Sequence, residues 1–251
     1  MPACKVLPRA MIVLTLAATG FGQTTPPSQV APRPLAAQGA SGGRGGGRGG
    51  ERGGLVQLLF EEHWTRAPQA EPMLQENLGN QNLTLHTYGD TEHIRKTFHP
   101  DEDYTYTGET VTNWAVTVSD PKAYWDLSGS GKVMLRTRNS GFRVTHIVIK
   151  TADGKYFVSE EGSPDSSAWV DRDYILQDLR WRSLLMTDTP SNPITVRKPD
   201  PKIVPIIPQA VGYPDLTRVE EVGFSDLMPG GWIPSTTRVN AWALYGKKVP
   251  R

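Results

Sequence analysis

Cysteine is almost absent. Cys4 is the single cysteine in 251 residues, so neither an internal disulfide framework nor a multi-cysteine zinc site can form. Long apolar runs are missing too. The best stretch, residues 10–18 (AMIVLTLAA), has nine residues, against about 20 for a membrane-spanning helix. Charge of one sign is lacking: 27 basic side chains face 26 acidic ones. Residues 1–54 hold six bases and one acid, which leaves 21 bases and 25 acids for residues 55–251. The larger part is mildly acidic, and bulk charge gives it no reason to bind nucleic acid. There is no nucleophile elbow and no dinucleotide fingerprint. The one phosphate-loop-like run, Gly129-Ser130-Gly131-Lys132, leads into a strand pattern rather than a helix, which removes the anion-binding geometry.

What is present divides the chain in three. Residues 1–22 read as a secretory signal: Lys5 and Arg9 open it, the apolar stretch follows, and Ala18, Gly20 and Gly22 suit cleavage. A secreted or periplasmic location follows from that reading. Residues 23–54 carry four prolines and the run ASGGRGGGRGGERGG. Such composition has no apolar surface to offset the entropy of ordering and reads as a disordered tether. Arg44, Arg48 and Arg52 lack interleaved aromatics, so weak attraction to an anionic cell surface suits them better than RNA binding.

Residues 55–251 form the domain. The pattern there has period two. In residues 132–138 (KVMLRTR), Val133, Leu135 and Thr137 share one face, and Lys132, Met134, Arg136 and Arg138 the other. Residues 142–158 read as a hairpin turning at Thr151-Ala152-Asp153-Gly154. Further strands are expected near 83–88, 114–118, 168–182, 218–224 and 238–245, with only short helical turns around 72–77 and 214–220. The proline-rich stretch 199–214 cannot be a central strand, because proline removes a ladder donor; it is expected to be an extended loop. The fold class is therefore all-β, an antiparallel β-sandwich.

Residues 124–129 (YWDLSG) followed by 132–138, and residues 214–219 (PDLTRV) with 222–224 (VGF) and the terminal 238–246 (RVNAWALYG), resemble galactose-binding-like jelly rolls. That group includes carbohydrate-binding modules and the complex I intermediate-associated family. Residues 57–251 also resemble a group of exported bacterial proteins of unassigned activity. The resemblance implies a sandwich of eight or nine strands that recognises carbohydrate on a concave face or at the loops of one end. It also implies a structural calcium, with a carboxylate two residues before the Tyr-Gly pair; here that position is Ala243. Asp101 and Asp103 are the residues left to offer hard oxygen ligands. No other cofactor is expected.

Sugar recognition needs a flat ring against a pyranose face and planar polar groups for hydroxyls. Trp114, Trp125, Trp169, Trp181, Trp232 and Trp242 are the tryptophans to sort into core and platform. Trp232, in the Met228-Pro229-Gly230-Gly231 loop, and Trp169, after Ser163-Pro164-Asp165-Ser166-Ser167, sit in loop chemistry. Trp181 alternates with Arg180 and Arg182 and reads as core. Arg136 and Arg138 share a face, as do His146 and Lys150; if their strands pair, the four side chains line one surface. The histidines His86, His93 and His99 are spaced by seven and six, unlike a helical zinc pair. Adjacent carboxylates such as Glu61 and Glu62 or Glu220 and Glu221 point to opposite faces of a strand and make no acid–base pair. The expectation is an exported, non-catalytic carbohydrate-binding sandwich. The alternatives are a jelly-roll hydrolase or lyase acting on saccharides, and a structural or protein-interaction module.

Overall fold

The computed structural model describes residues 56–64, 69–99, 102–107, 113–186, 206–228 and 235–251. The expected signal and tether, Trp232 and Asp101 lie outside the described residues, as does the side chain of Asp103. Fourteen strands follow one another: β1 Gln57–Glu62, β2 Thr84–Gly89, β3 Arg95–His99, β4 Glu102–Thr107, β5 Trp114–Ser119, β6 Ala123–Asp126 and β7 Lys132–Thr137 in the first half, then β8 Thr145–Thr151, β9 Tyr156–Ser163, β10 Val170–Ile175, β11 Trp181–Met186, β12 Ile206–Gly212, β13 Val219–Asp226 and β14 Thr237–Pro250. Helical structure among the described residues is limited to single 3₁₀ turns at Gln75–Asn77, Thr91–His93 and Leu176–Asp178. No described helix is long and apolar enough to cross a membrane.

Every strand ladder is antiparallel, in two layers. In the first, β10 pairs β7, β7 pairs β14, and the other flank of β14 takes β4 and β1 in tandem, with β3 beyond β4. In the second the order is β2–β5–β13–β8–β9–β11–β12. β14 belongs to both: Val239 to Tyr245 ladder with β7, and Lys247 to Pro250 with β6. The crossing occurs at Gly246, where a Cβ would lie 2.6 Å from Leu127 and 2.8 Å from the Asp126 carbonyl; glycine is needed there for close approach.

Between the layers lies one core. Phe60, Val133, Leu135, Val239, Trp242 and Leu244 meet Val116, Val118, Ile147, Ile149, Phe157, Val222 and Phe224, all buried. The Phe224 and Trp242 rings meet edge to face across it at 5.7 Å, and Phe60 meets Trp242 at 4.8 Å. Such pairs add about 0.5–1.5 kcal/mol each beyond area burial. The expected alternation in β7 holds: Val133, Leu135 and Thr137 are buried. Trp114, Trp125, Trp181 and Trp242 are core.

Three expectations change. The sandwich has fourteen described strands rather than eight or nine. Residues Ile206–Gly212 of the 199–214 stretch form β12, an edge strand on β11, the place in a sheet where a proline such as Pro208 is tolerated. The terminal strand runs on past Gly246 into the second layer.

Candidate functional site

Period two gives each strand an inward and an outward row, and the layer decides where the outward row points. β7 lies in the first layer, between β10 and β14, while β8 lies in the second, between β9 and β13. The four-residue surface expected from Arg136, Arg138, His146 and Lys150 therefore does not form. Arg136 and Arg138 face outward from one layer, His146 and Lys150 from the other. Local spacing sets the face of a strand, but the partners of β7 and β8 come from distant parts of the chain.

The outward row of the first layer borders an open cleft of about 510 Å³, lined by Gln69, Ala70, Glu71, Arg95, Lys96, Thr97, Tyr104 and Arg238. Arg95 and Arg238 register with position 106 of β4 from its two sides, and Tyr104 registers with Thr97. Arg95 Nε contacts Glu71 Oε1 at 2.9 Å, with both side chains well exposed. Arg138 donates its backbone N–H to the Arg238 carbonyl at 3.0 Å, so the sequence-expected Arg138 adjoins the cleft. Arg136 reaches Asp171 of β10 at 3.6 Å.

Trp169, just before β10, meets Tyr104 of β4 with ring centroids 5.7 Å apart, tilted by 56°. β7 and β14 lie between the strands that carry them, so the two rings lean toward each other over the outer side of those strands. Arg136, Arg138 and Trp169 are thus gathered on one side of the molecule.

A buried polar pin sets the start of β14 and with it Arg238. Arg143 Nη1 donates to Asp226 Oδ2 at 2.9 Å, both side chains being 1% exposed. Thr237 Oγ1 donates to the same oxygen at 2.8 Å, the Met228 N–H donates to Oδ1 at 2.9 Å, and Arg143 Nε donates to Ser235 at 3.1 Å. A carboxylate this deeply buried stays charged because the Arg143 guanidinium and two further donors take the place of water.

The outward row of the second layer is built differently. Glu221 of β13 is 2% exposed. It accepts from Tyr88 Oη at 2.8 Å, Thr117 Oγ1 at 2.6 Å and Lys150 Nζ at 3.1 Å. Lys150 also contacts Glu220 at 3.2 Å, and the Tyr88 and Tyr156 hydroxyls are 3.1 Å apart. Burial, then the hydrogen bonds to Tyr156 and Glu221, push the Tyr88 phenol well above its ordinary range. Burial pulls the Lys150 ammonium down, but its bond to Glu221 outweighs this and holds it above the usual lysine range. His146 places Nδ1 at 2.9 Å from the Ser159 carbonyl, so Nδ1 carries the donated proton, and burial pulls its pKa below the ordinary 6.5. His146 and Lys150 are thus held by the fold's own groups.

Sequence reasoning missed Tyr104, Arg95 and Arg238. The run Glu102–Thr107 (EDYTYT) carries tyrosines at period two, a strand signal that the acidic residues beside it masked. No described group of three or more His, Cys, Asp or Glu is gathered for a metal. Ala243 is buried in β14 opposite Met134 and offers no oxygen. Asp101 and the side chain of Asp103, the residues left to offer oxygen to a calcium, lie outside the described residues.

No protein-family model matches the chain, and no curated protein matches it. Among solved structures it is similar to the family 11 carbohydrate-binding module of a cellulosomal cellulase of Clostridium thermocellum, at 13% identity and a TM-score of 0.40, over 76% of this chain and 95% of that one. It is similar to a module of that family and organism in complex with a β-1,3-1,4-mixed-linked tetrasaccharide, at 12% identity and a TM-score of 0.38, over 73% and 94%. An exo-β-agarase is similar at 13% identity and a TM-score of 0.37, over 77% of this chain and 25% of that one. These are distant likenesses.

Proposed function

We propose that the domain binds carbohydrate in the cleft on the outer side of the first layer and does not cleave it. The observation that supports this reading is the Tyr104–Trp169 ring pair beside a cleft bordered by Arg95, Thr97 and Arg238. Aromatic rings offer an apolar surface for the C–H face of a sugar ring. Guanidinium forks and the Thr97 hydroxyl offer planar and adaptable hydrogen bonds to its hydroxyls. Glu71 is the single carboxylate in the described lining, and Arg95 pairs with it, whereas glycoside cleavage calls for two converging carboxylates.

The reading extends to the whole chain: residues 1–22 export it and residues 23–54 tether the domain. N-terminal sequencing of the mature protein tests the first part, and an intact Met1 refutes it. Binding is tested by affinity electrophoresis against a panel of polysaccharides. Retardation that Tyr104→Ala weakens by about tenfold or more, with unchanged melting temperature, supports the cleft. Release of new reducing ends from a retained polymer overturns the non-catalytic part.

A further inference from the structure

We propose that the saccharide bound in the cleft continues past it, and that Arg138 and Phe142 form a second subsite for a further sugar unit of the same chain. The proposal rests on the carbohydrate reading above and adds the ligand's extent: a stretch of several sugars rather than a single ring.

The first support is which groups remain free. Arg95 pairs with Glu71 and Arg136 with Asp171, and these two, like Arg238, are engaged further within the molecule. Arg138 differs. It is exposed, and among the described residues its guanidinium takes part in no hydrogen bond, ion pair or ring contact. Only its backbone N–H is used, on the Arg238 carbonyl. The guanidinium donors are therefore available to the hydroxyls of a sugar. Further along the chain, Phe142 is 84% exposed. It is a large apolar ring left in water, where burial would contribute roughly 1.5–3 kcal/mol.

The second support is that the turn holding this ring is fixed before any ligand arrives. Ser140 donates its N–H to the Thr236 carbonyl at 2.9 Å, and its Oγ accepts from the Thr236 N–H at 2.8 Å. Gly141 has a φ of 69°, and a Cβ there would lie 2.7 Å from that of Ser235, so glycine is needed. Arg143 follows, buried on Asp226 and Ser235. Phe142 is thus the open tip of a turn anchored on both sides. A ring already held in place loses little freedom when it meets a ligand.

The third support is position. The pairing of β7 with β14 runs on beyond Thr137, first from Arg138 to Arg238 and then from Ser140 to Thr236, so the chain leads from the cleft to the turn. Tyr104 stands two residues along β4 from Tyr106, the partner of Arg238, near the level of the Arg136–Ala241 pair. From Arg136 to Ser140 extended chain advances about 13 Å. A single sugar against Tyr104 and Trp169 leaves Phe142 out of reach. A chain of several sugars meets both, with the Arg138 fork between them.

The test uses the full chain. Affinity electrophoresis first shows which of mixed-linkage β-glucan, xylan, agarose and polygalacturonate it retains. Calorimetry then follows the oligosaccharides of that polymer from disaccharide to hexasaccharide. The expected result is an affinity that rises with length. For the hexasaccharide it falls about fivefold or more in Phe142→Ala and in Arg138→Gln, while the shortest oligomer that binds is held as before. Phe142→Tyr keeps the ring and keeps the affinity. Tyr213→Ala removes a ring that is 91% exposed from the loop whose Leu216 carbonyl meets Leu127 ahead of β7, and leaves every affinity unchanged. Melting curves check that each variant folds, and a loss of affinity equal at every length marks a structural effect. That equal loss, an affinity that does not rise with length, or a hexasaccharide indifferent to Phe142→Ala or to Arg138→Gln overturns the proposal and leaves the carbohydrate reading standing. Retention of no polymer overturns both.

Discussion

On the outer side of the second layer, Glu221 lies beneath Tyr88, Thr117 and Lys150, each donating to its carboxylate. On the outer side of the first layer, Tyr104, Arg95 and Arg238 border a cleft open to solvent. Both rows contain tyrosine, cation and carboxylate. In the second layer these groups are packed close enough to satisfy one another, so a ligand would have to break bonds before making its own. In the first, Glu71 and Arg95 meet near solvent and exchange partners cheaply. Composition alone does not mark a binding face. The distinction lies in burial: Glu221 is closed in beneath its donors, whereas the Glu71–Arg95 pair stands near solvent.

The strongest way to break this contrast is to remove what positions the cleft from beneath. Asp226→Ala leaves the fully buried Arg143 without its anion; stability falls by about 4 kcal/mol, and binding falls with it, because Thr237, next to Arg238, loses its anchor. Urea denaturation and affinity electrophoresis read the two effects, and an unchanged midpoint refutes the pin. Glu221→Ala separates the faces. It takes the acceptor from Thr117, leaves Tyr88 only Tyr156 and Lys150 only Glu220, and costs about 2 kcal/mol of stability, while ligand affinity of the folded protein stays the same. A loss of affinity there would place the ligand on the second layer instead.

Tyr104→Ala is the mirror experiment. Affinity drops by roughly 1.4–3 kcal/mol and the melting temperature holds. The smallest effect sharpens the comparison through pH. Burial holds the His146 imidazole below its ordinary 6.5, so it is neutral when folded, whereas the unfolded chain takes up a proton near that value. Stability therefore declines as pH falls below about 6.5, and His146→Gln flattens the decline. The described cleft lining contains no histidine, so affinity changes less over the same range. Chemical denaturation at a series of pH values checks the first statement and calorimetry the second.

Much of the fold was legible because strand alternation is a local property. The inward row of β7, the hairpin of β8 and β9, the core place of Trp181 and the exclusion of the proline-rich stretch from the sheet interior follow from spacing and from what proline cannot donate, although that stretch forms an edge strand where a loop was expected. The candidate site was legible only in part. Arg136, Arg138 and Trp169 were singled out and do fall near the cleft, but they were grouped with His146 and Lys150, which face the other way. Arg95, Tyr104 and Arg238 were passed over because nothing within β3, β4 or β14 taken singly says that they adjoin.

By itself, the amino-acid order determined that this chain folds into strands, which side of each strand is apolar, and that no internal disulfide can form in a chain whose single cysteine is Cys4. Tertiary structure alone decided which strands share a layer. β7 lies beside Val239 to Tyr245, and β8 beside Val219 to Asp226, pairings between segments some 70 to 110 residues apart that no local period encodes. That choice placed Arg95, Tyr104 and Arg238 around one opening and closed Glu221 inside its own donors, because a hydrogen-bonding group serves a ligand only where the neighbouring strands leave it within reach of one.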